Sequence, residues 1–129
     1  MKPKYAAIAL LAPLLAASAP PAQAYDADWK RGRVYFRGVC TTCHTAQGGA
    51  IHPNVRVMEE WTNYLKDDKH AGGKDTVSQY IGKAYRDSIK DGNKAAEKFA
   101  DVPDQELLED IKSFLLKSAK DGESPASCS

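Results

Sequence analysis

Cys40, Cys43 and His44, in the pentapeptide Cys40-Thr41-Thr42-Cys43-His44, are the residues of this chain whose types and spacing best suit chemistry. C-x-x-C-H is the pattern in which two thiols bond covalently to one haem and the adjacent imidazole ligates its iron. Two intervening residues let both sulfurs reach the vinyl groups along one porphyrin edge, while the next residue turns its imidazole under the metal. The expectation is one covalently attached haem, held by Cys40 and Cys43, with His44 as its proximal iron ligand. Other uses of a close cysteine pair need more than the chain supplies. A zinc ribbon requires a second Cys or His pair, and the only other cysteine is Cys128, far downstream and alone. A thioredoxin-like dithiol would follow a strand in a βαβ unit, and no such strand pattern is present nearby.

The elements that must position this motif begin after residue 24. Residues 1–24 have the pattern of a secretory signal: Lys2 and Lys4 at the start, an apolar stretch from Ala6 to Ala17 broken by Pro13, and Ala22-Gln23-Ala24 as a small-residue cleavage site. The apolar run is shorter than the roughly 20 residues that span a bilayer. An exported, soluble, periplasmic protein with no membrane span after cleavage is expected, which suits covalent haem attachment outside the cytoplasm. Removing this segment leaves 105 residues with 16 basic and 17 acidic side chains. That balance describes one small domain, residues 25–120, without the basic footprint of a nucleic-acid-binding protein. Alternating charges such as Lys66-Asp67-Asp68-Lys69 point to a solvated helix face.

The apolar periodicity is helical throughout, so the expected class is all-α, with four to five short helices around the haem. A first helix is expected around Asp28 to Val39, with Trp29, Val34, Tyr35 and Phe36 on it, running into the haem motif. Val57, Met58, Trp61 and Leu65 mark a second, from Val55 to Leu65. Beyond the break at Gly72-Gly73, Val77, Tyr80, Ile81, Ala84, Tyr85 and Ile89 recur at helical spacing as one amphipathic helix. Pro103 stands where the first turn of a final helix would begin, with Asp104 and Glu106 near its positive end. Leu107, Leu108, Ile111, Phe114 and Leu115 form its apolar face. Residues 121–129, rich in Gly, Ser and Pro, are expected to be irregular and able to fold over the haem.

Together these elements resemble the small class I cytochromes c, whose first and last helices cross beside the haem motif. Gly32 and Phe36, eight and four residues before Cys40, match the glycine and aromatic of that family's first helix. The resemblance implies that Gly32 lets two helix backbones approach closely, and that Phe114, in Asp110-Ile111-Lys112-Ser113-Phe114-Leu115, packs over the crossing. It covers the first helix, the haem motif and the last helix.

The family's usual sixth iron ligand is a methionine before the last helix, and here the chain departs from the pattern. Aligning Phe99-Ala100-Asp101 with the stretch that comes after that methionine puts Ala96 at its place. Several residues are candidates instead. Met58 is the only methionine of the expected mature chain, at helical spacing from Trp61; His52 precedes Pro53; His70 stands in a polar, Lys-rich turn; Asn93 and Lys94 flank the vacant position. Cys128 is the leading candidate, because an odd cysteine in an exported protein calls for an explanation: a metal ligand, an intermolecular disulfide or a free thiol. Eleven residues separate it from Lys117, enough to extend about 36 Å. The ending from Asp121 to Cys128 also resembles the D-x-x-x-P-x-x-C tail of monohaem cytochromes from anaerobic bacteria, including the small paired cytochromes of anaerobic ammonium oxidisers. That resemblance implies a haem ligated by His and Cys and, in some members, heterodimers.

Three functions are compatible with these residues. The first is an electron carrier docking transiently with redox protein partners, alone or as a homo- or heterodimer, with a low-potential haem if a thiolate is the distal ligand. The second is a haem-based protein that binds CO or NO after release of that ligand. The third, a peroxidase-type enzyme, would need an open iron position with acid and base groups above it, and no His-Arg pairing in the sequence supports it.

Overall fold

The computed structural model describes residues 24–125; residues 1–23, which hold nearly all of the expected export signal, and residues 126–129, with Cys128, lie outside the described residues. Helix α1 (Trp29–Tyr35) starts at Asp28, whose carboxylate accepts from the backbone N–H groups of Lys30 (2.8 Å) and Arg31 (3.3 Å). It continues without a break through one wide π-helical turn, Phe36–Cys40, into α2 (Thr41–Ala46). Gly48, with φ of +101°, ends that segment in the left-handed region where a glycine is favoured. After a 3₁₀ turn at Pro53–Val55, α3 (Met58–Asp67) opens with the Glu60 carboxylate accepting from Val57 N (2.9 Å).

Helix α4 (Val77–Ile81) begins in a capping box in which Thr76 and Gln79 exchange hydrogen bonds of 2.8 and 3.2 Å. Then come α5 (Lys83–Ile89), α6 (Lys94–Lys98), capped by Asn93, and α7 (Asp104–Lys117). The all-α expectation holds, and the described residues contain no strand. The helices are more numerous and shorter than expected. The single helix read over Val77 to Ile89 is two, because Gly82 is extended (φ −61°, ψ 152°) and shifts the phase of α5 relative to α4. Ala84, expected on the apolar face, is exposed, while the guanidinium of Arg86 is fully buried. Val34, assigned to the first helix's apolar set, is also exposed.

The frame is the crossing of α1 and α7. A Cβ added to Gly32 would overlap the backbone carbonyl of Asp110, so only glycine allows this approach. Phe36 and Phe114 pack across the crossing with ring centres 5.4 Å apart. Leu107, Ile111, Phe114 and Leu115 bury one face of α7 against Tyr35, Phe36 and Val39 of the first segment, and Trp61, Ile81 and Phe99 complete the core. Two buried charges tie the ends of the frame. Asp110 accepts from Tyr25 Oη (2.8 Å) and Asp28 N (2.7 Å) and pairs with Arg31 at 2.9 Å. Arg86 donates to the carbonyls of Phe99 and Val102 and pairs with Asp104 at the start of α7. The first residues after α7 turn back on it: Ser124 N donates to Lys117 O (3.0 Å), and Asp121 accepts from Met58 N (2.7 Å), tethering this turn to the start of α3.

Candidate functional site

Cys40, Cys43 and His44 stand on one continuous helical segment, where spacings of three and four residues place side chains on a common face. The hydroxyls of Thr41 and Thr42 turn back to the carbonyls of Phe36 (3.1 Å) and Gly38 (3.0 Å), which secures the junction of the wide turn with α2. The common face opens into a cavity of about 460 Å³, within the roughly 300–1,000 Å³ typical of pockets for small molecules and cofactors. Its walls are mostly apolar and aromatic. Phe36 and Val39 line one side, Trp61, Tyr64 and Leu65 of α3 another, and Ile111 and Leu115 the floor. Trp61 is held in place by donating its indole N–H to Pro53 O at 2.6 Å. A second, more open cleft of about 540 Å³ between α4, α5 and α7 is lined by no thiol or imidazole.

Burial pushes the Cys40 thiol up to about 12. Such a thiol is neutral at physiological pH, unlike the depressed, nucleophilic cysteine of a redox-active dithiol. Cys43 is exposed at the cavity's mouth, against Tyr85. Burial and the neighbouring His70 hold the His44 imidazole below its ordinary pKa, so its neutral form, with a free lone pair, is favoured.

The cavity's far wall is the segment between α3 and α4. Asp68 ends α3 in the left-handed conformation (φ +51°), and its carboxylate then accepts from Ser78 N (2.7 Å) and Ser78 Oγ (2.6 Å) at the start of α4. The loop is thereby closed at its base. Inside it, Gly73 N donates to His70 O (3.0 Å), and Lys74 N donates to Tyr80 Oη (3.2 Å). His70 is turned into the cavity, with its ring centre 5.6 Å from that of His44 and 5.3 Å from that of Tyr80. Its Nδ1 is buried without a hydrogen-bond partner.

The structure therefore sorts the candidate residues. Cys40, Cys43, His44 and His70 share one cavity. Met58, expected as a ligand or as core, is 40 % exposed on the first turn of α3 and does not line the cavity. His52 is half-buried beside Pro53 and is likewise not part of the lining. Asn93 spends its amide on structure, donating to Gly38 O (2.8 Å) and accepting from Ala95 N and Ala96 N. Lys94 is exposed on α6, and Ala96 is fully buried. Cys128 lies outside the described residues. The sequence marks Tyr80 and Tyr85 only as helix-face residues, and it offers His70 as a candidate ligand within a Lys-rich turn without indicating that the ring faces the cavity. The glycine pair two residues after His70 was the available sign of a tight turn there.

The donor set fits a flat, apolar macrocycle better than a bare ion. Among the described residues no group of three or more His, Cys, Asp or Glu side chains is arranged to hold a metal. A porphyrin supplies four equatorial nitrogens of its own and asks the protein only for axial donors, apolar walls and points of attachment. Among the described residues no helix is long and apolar enough to cross a membrane. No protein-family model, no curated protein and no solved structure matches this chain.

Proposed function

We propose that this chain is an exported, periplasmic monohaem c-type cytochrome with a class I-like fold, carrying single electrons between redox protein partners. The observation that carries the reading is the common face of Cys40, Cys43 and His44 opening into an apolar cavity of about 460 Å³. Cys40 and Cys43 would form thioethers to the haem edge, and His44 would be the proximal ligand. The Gly32 approach and the Phe36–Phe114 pair at the α1–α7 crossing support the fold assignment. When bound, the haem supplies a one-electron ferric/ferrous couple.

The protein's own residues do the rest. Trp61, Leu65, Ile111 and Leu115 exclude water from the cavity, which lowers the local dielectric and tunes the couple. The exposure of Cys43 leaves the attachment edge at the surface, where a partner can approach.

The test is expression with the export segment in a host that attaches haem to exported C-x-x-C-H proteins. The expected product retains haem through denaturing electrophoresis and acid-acetone extraction, and cycles reversibly by one electron. Cys40→Ala with Cys43→Ala should lose the covalent link. A wild-type protein that releases all its haem on extraction, or takes up none, would sink the proposal.

A further inference from the structure

We infer that His70 is the distal iron ligand, facing His44 across the haem proposed above and making the site a bis-imidazole centre. The inference rests on that haem reading and deepens it. Three independent observations lead to it.

The first is placement. Two imidazoles bound on opposite faces of one ion, each at a metal–nitrogen distance of about 2 Å, have ring centres roughly 6–6.5 Å apart. The His44 and His70 rings, on segments 26 positions apart in sequence, are 5.6 Å apart with their planes inclined at 51°. The angle between the two ring planes is free in such a pair, and a change of about 1 Å or less brings the ring centres to that separation.

The second is chemical. His70 Nδ1 is buried without a hydrogen-bond partner, on the wall of an otherwise apolar cavity. A buried polar atom in that state carries a desolvation cost that nothing else among the described residues offsets. Nδ1 faces Gly73, which leaves Nε2 as the ring nitrogen available to a ligand in the cavity.

The third is that the segment is built to hold the ring. Asp68 adopts a left-handed backbone uncommon for a residue with a side chain, and its carboxylate closes the loop onto Ser78. Gly73 leaves just the room the ring needs: a Cβ there would lie 2.6 Å from His70 Nδ1 and 2.9 Å from the Tyr80 ring. Tyr80 in turn packs edge-on against both His70 and Tyr85, whose ring centre is 5.1 Å away. A solvated histidine in a Lys-rich turn would need none of this support.

Two neutral imidazoles keep the iron six-coordinate and low-spin in both oxidation states, with a potential below that of a His/Met pair. With no open position, CO and NO gain no ready access, which favours electron transfer over gas sensing.

The experiment uses the purified holoprotein and its His70→Ala and Cys128→Ala variants, under conditions that prevent an intermolecular disulfide. Ferric EPR and near-infrared magnetic circular dichroism identify the ligand pair, and a haemochrome spectrum checks covalent attachment separately. The expected wild-type spectrum is that of a bis-imidazole low-spin haem. His70→Ala should convert it to high-spin, with added imidazole restoring the low-spin signal, while Cys128→Ala leaves it unchanged. A thiolate-type or thioether-type wild-type spectrum overturns the inference without any variant, so it remains decidable if His70→Ala does not fold. A His70→Ala holoprotein that retains the wild-type signal overturns it too. In both of those cases a normal haemochrome leaves the cytochrome reading standing, whereas absence of covalent haem from the wild type removes both.

Discussion

The backbone of Gly32 on α1 lies against the backbone carbonyl of Asp110 on α7, so close that a single added methyl would overlap it. This contact sets the separation of the two longest packed segments of the frame, and the cavity inherits its width from them. Phe36 and Ile111, which line the cavity, stand beside the crossing on their respective segments.

Gly32→Ala should therefore destabilise the protein by about 1–3 kcal/mol through overpacking, although alanine is the better helix former. Urea unfolding checks this against Gly92→Ala, where an added Cβ meets nothing within 4 Å, and which should change stability by less than about 0.5 kcal/mol. Equal midpoints for the two variants would contradict the close approach.

Tyr25 couples the start of the expected mature chain to the core. Its partial burial and its hydrogen bond to the Asp110 carboxylate push its pKa from 10.0 up to about 12. A group whose pKa is raised on folding contributes stability that is fully present below its unfolded value and is lost as pH rises through the folded value. The contribution of Tyr25 should thus be complete below about pH 10 and disappear by about pH 12. The difference in unfolding free energy between wild type and Tyr25→Phe, measured from pH 8 to pH 12, is expected to shrink over that window. A pH-independent difference would show that the hydroxyl does not donate to Asp110.

Arg86 is the largest departure from apolar patterning in the interior. It satisfies the carbonyls of Phe99 and Val102 and pairs with Asp104, joining α5 to the turn that starts α7. Arg86→Ala leaves buried acceptors without donors and should cost more than about 3 kcal/mol. Arg86→Lys should recover less than half of that, because a point-like ammonium cannot reproduce the fork of the guanidinium. Thermal unfolding of the three proteins decides it; full recovery by lysine would mean that charge alone matters here.

The loop that carries His70 depends on Asp68. Asp68→Ala removes two hydrogen bonds to Ser78 and should cost about 0.5–2 kcal/mol. The loss should be local, appearing as faster amide exchange over residues 68–78 with α1 and α7 unchanged. Gly73→Ala tests the same loop from inside, since the new methyl presses on His70 and Tyr80. In the proposed haem protein its expected readout is a changed ferric absorption spectrum with covalent haem content unaltered. An unchanged spectrum would separate the loop from the iron.

Much of this arrangement was legible in the chain itself, because it depends on local spacing. Cys40, Cys43 and His44, spaced by three and four residues, share a face on any helical backbone. The apolar stripe of α7 appeared as read, since Leu107, Ile111, Phe114 and Leu115 recur at the helical period and all four are buried. Gly32 was singled out by the family resemblance rather than by periodicity, and its close approach to Asp110 agrees with what that resemblance implied.

What the tertiary structure alone decided concerns residues distant in sequence or dependent on one backbone torsion. Met58 and His70 were both alternatives to Cys128 on residue type, and the helical spacing of Met58 from Trp61 argued for a core position. The left-handed turn at Asp68 and its closure onto Ser78 instead carry His70 inward, while Met58 remains at an exposed helix start tied to Asp121. Similarly, the extended torsions of Gly82 divide an apparently continuous helix and bring Arg86 into the core. Periodicity specifies which side of an element is apolar; which distant side chain then faces it depends on loop torsions and buried polar partners that exist only once the chain has folded.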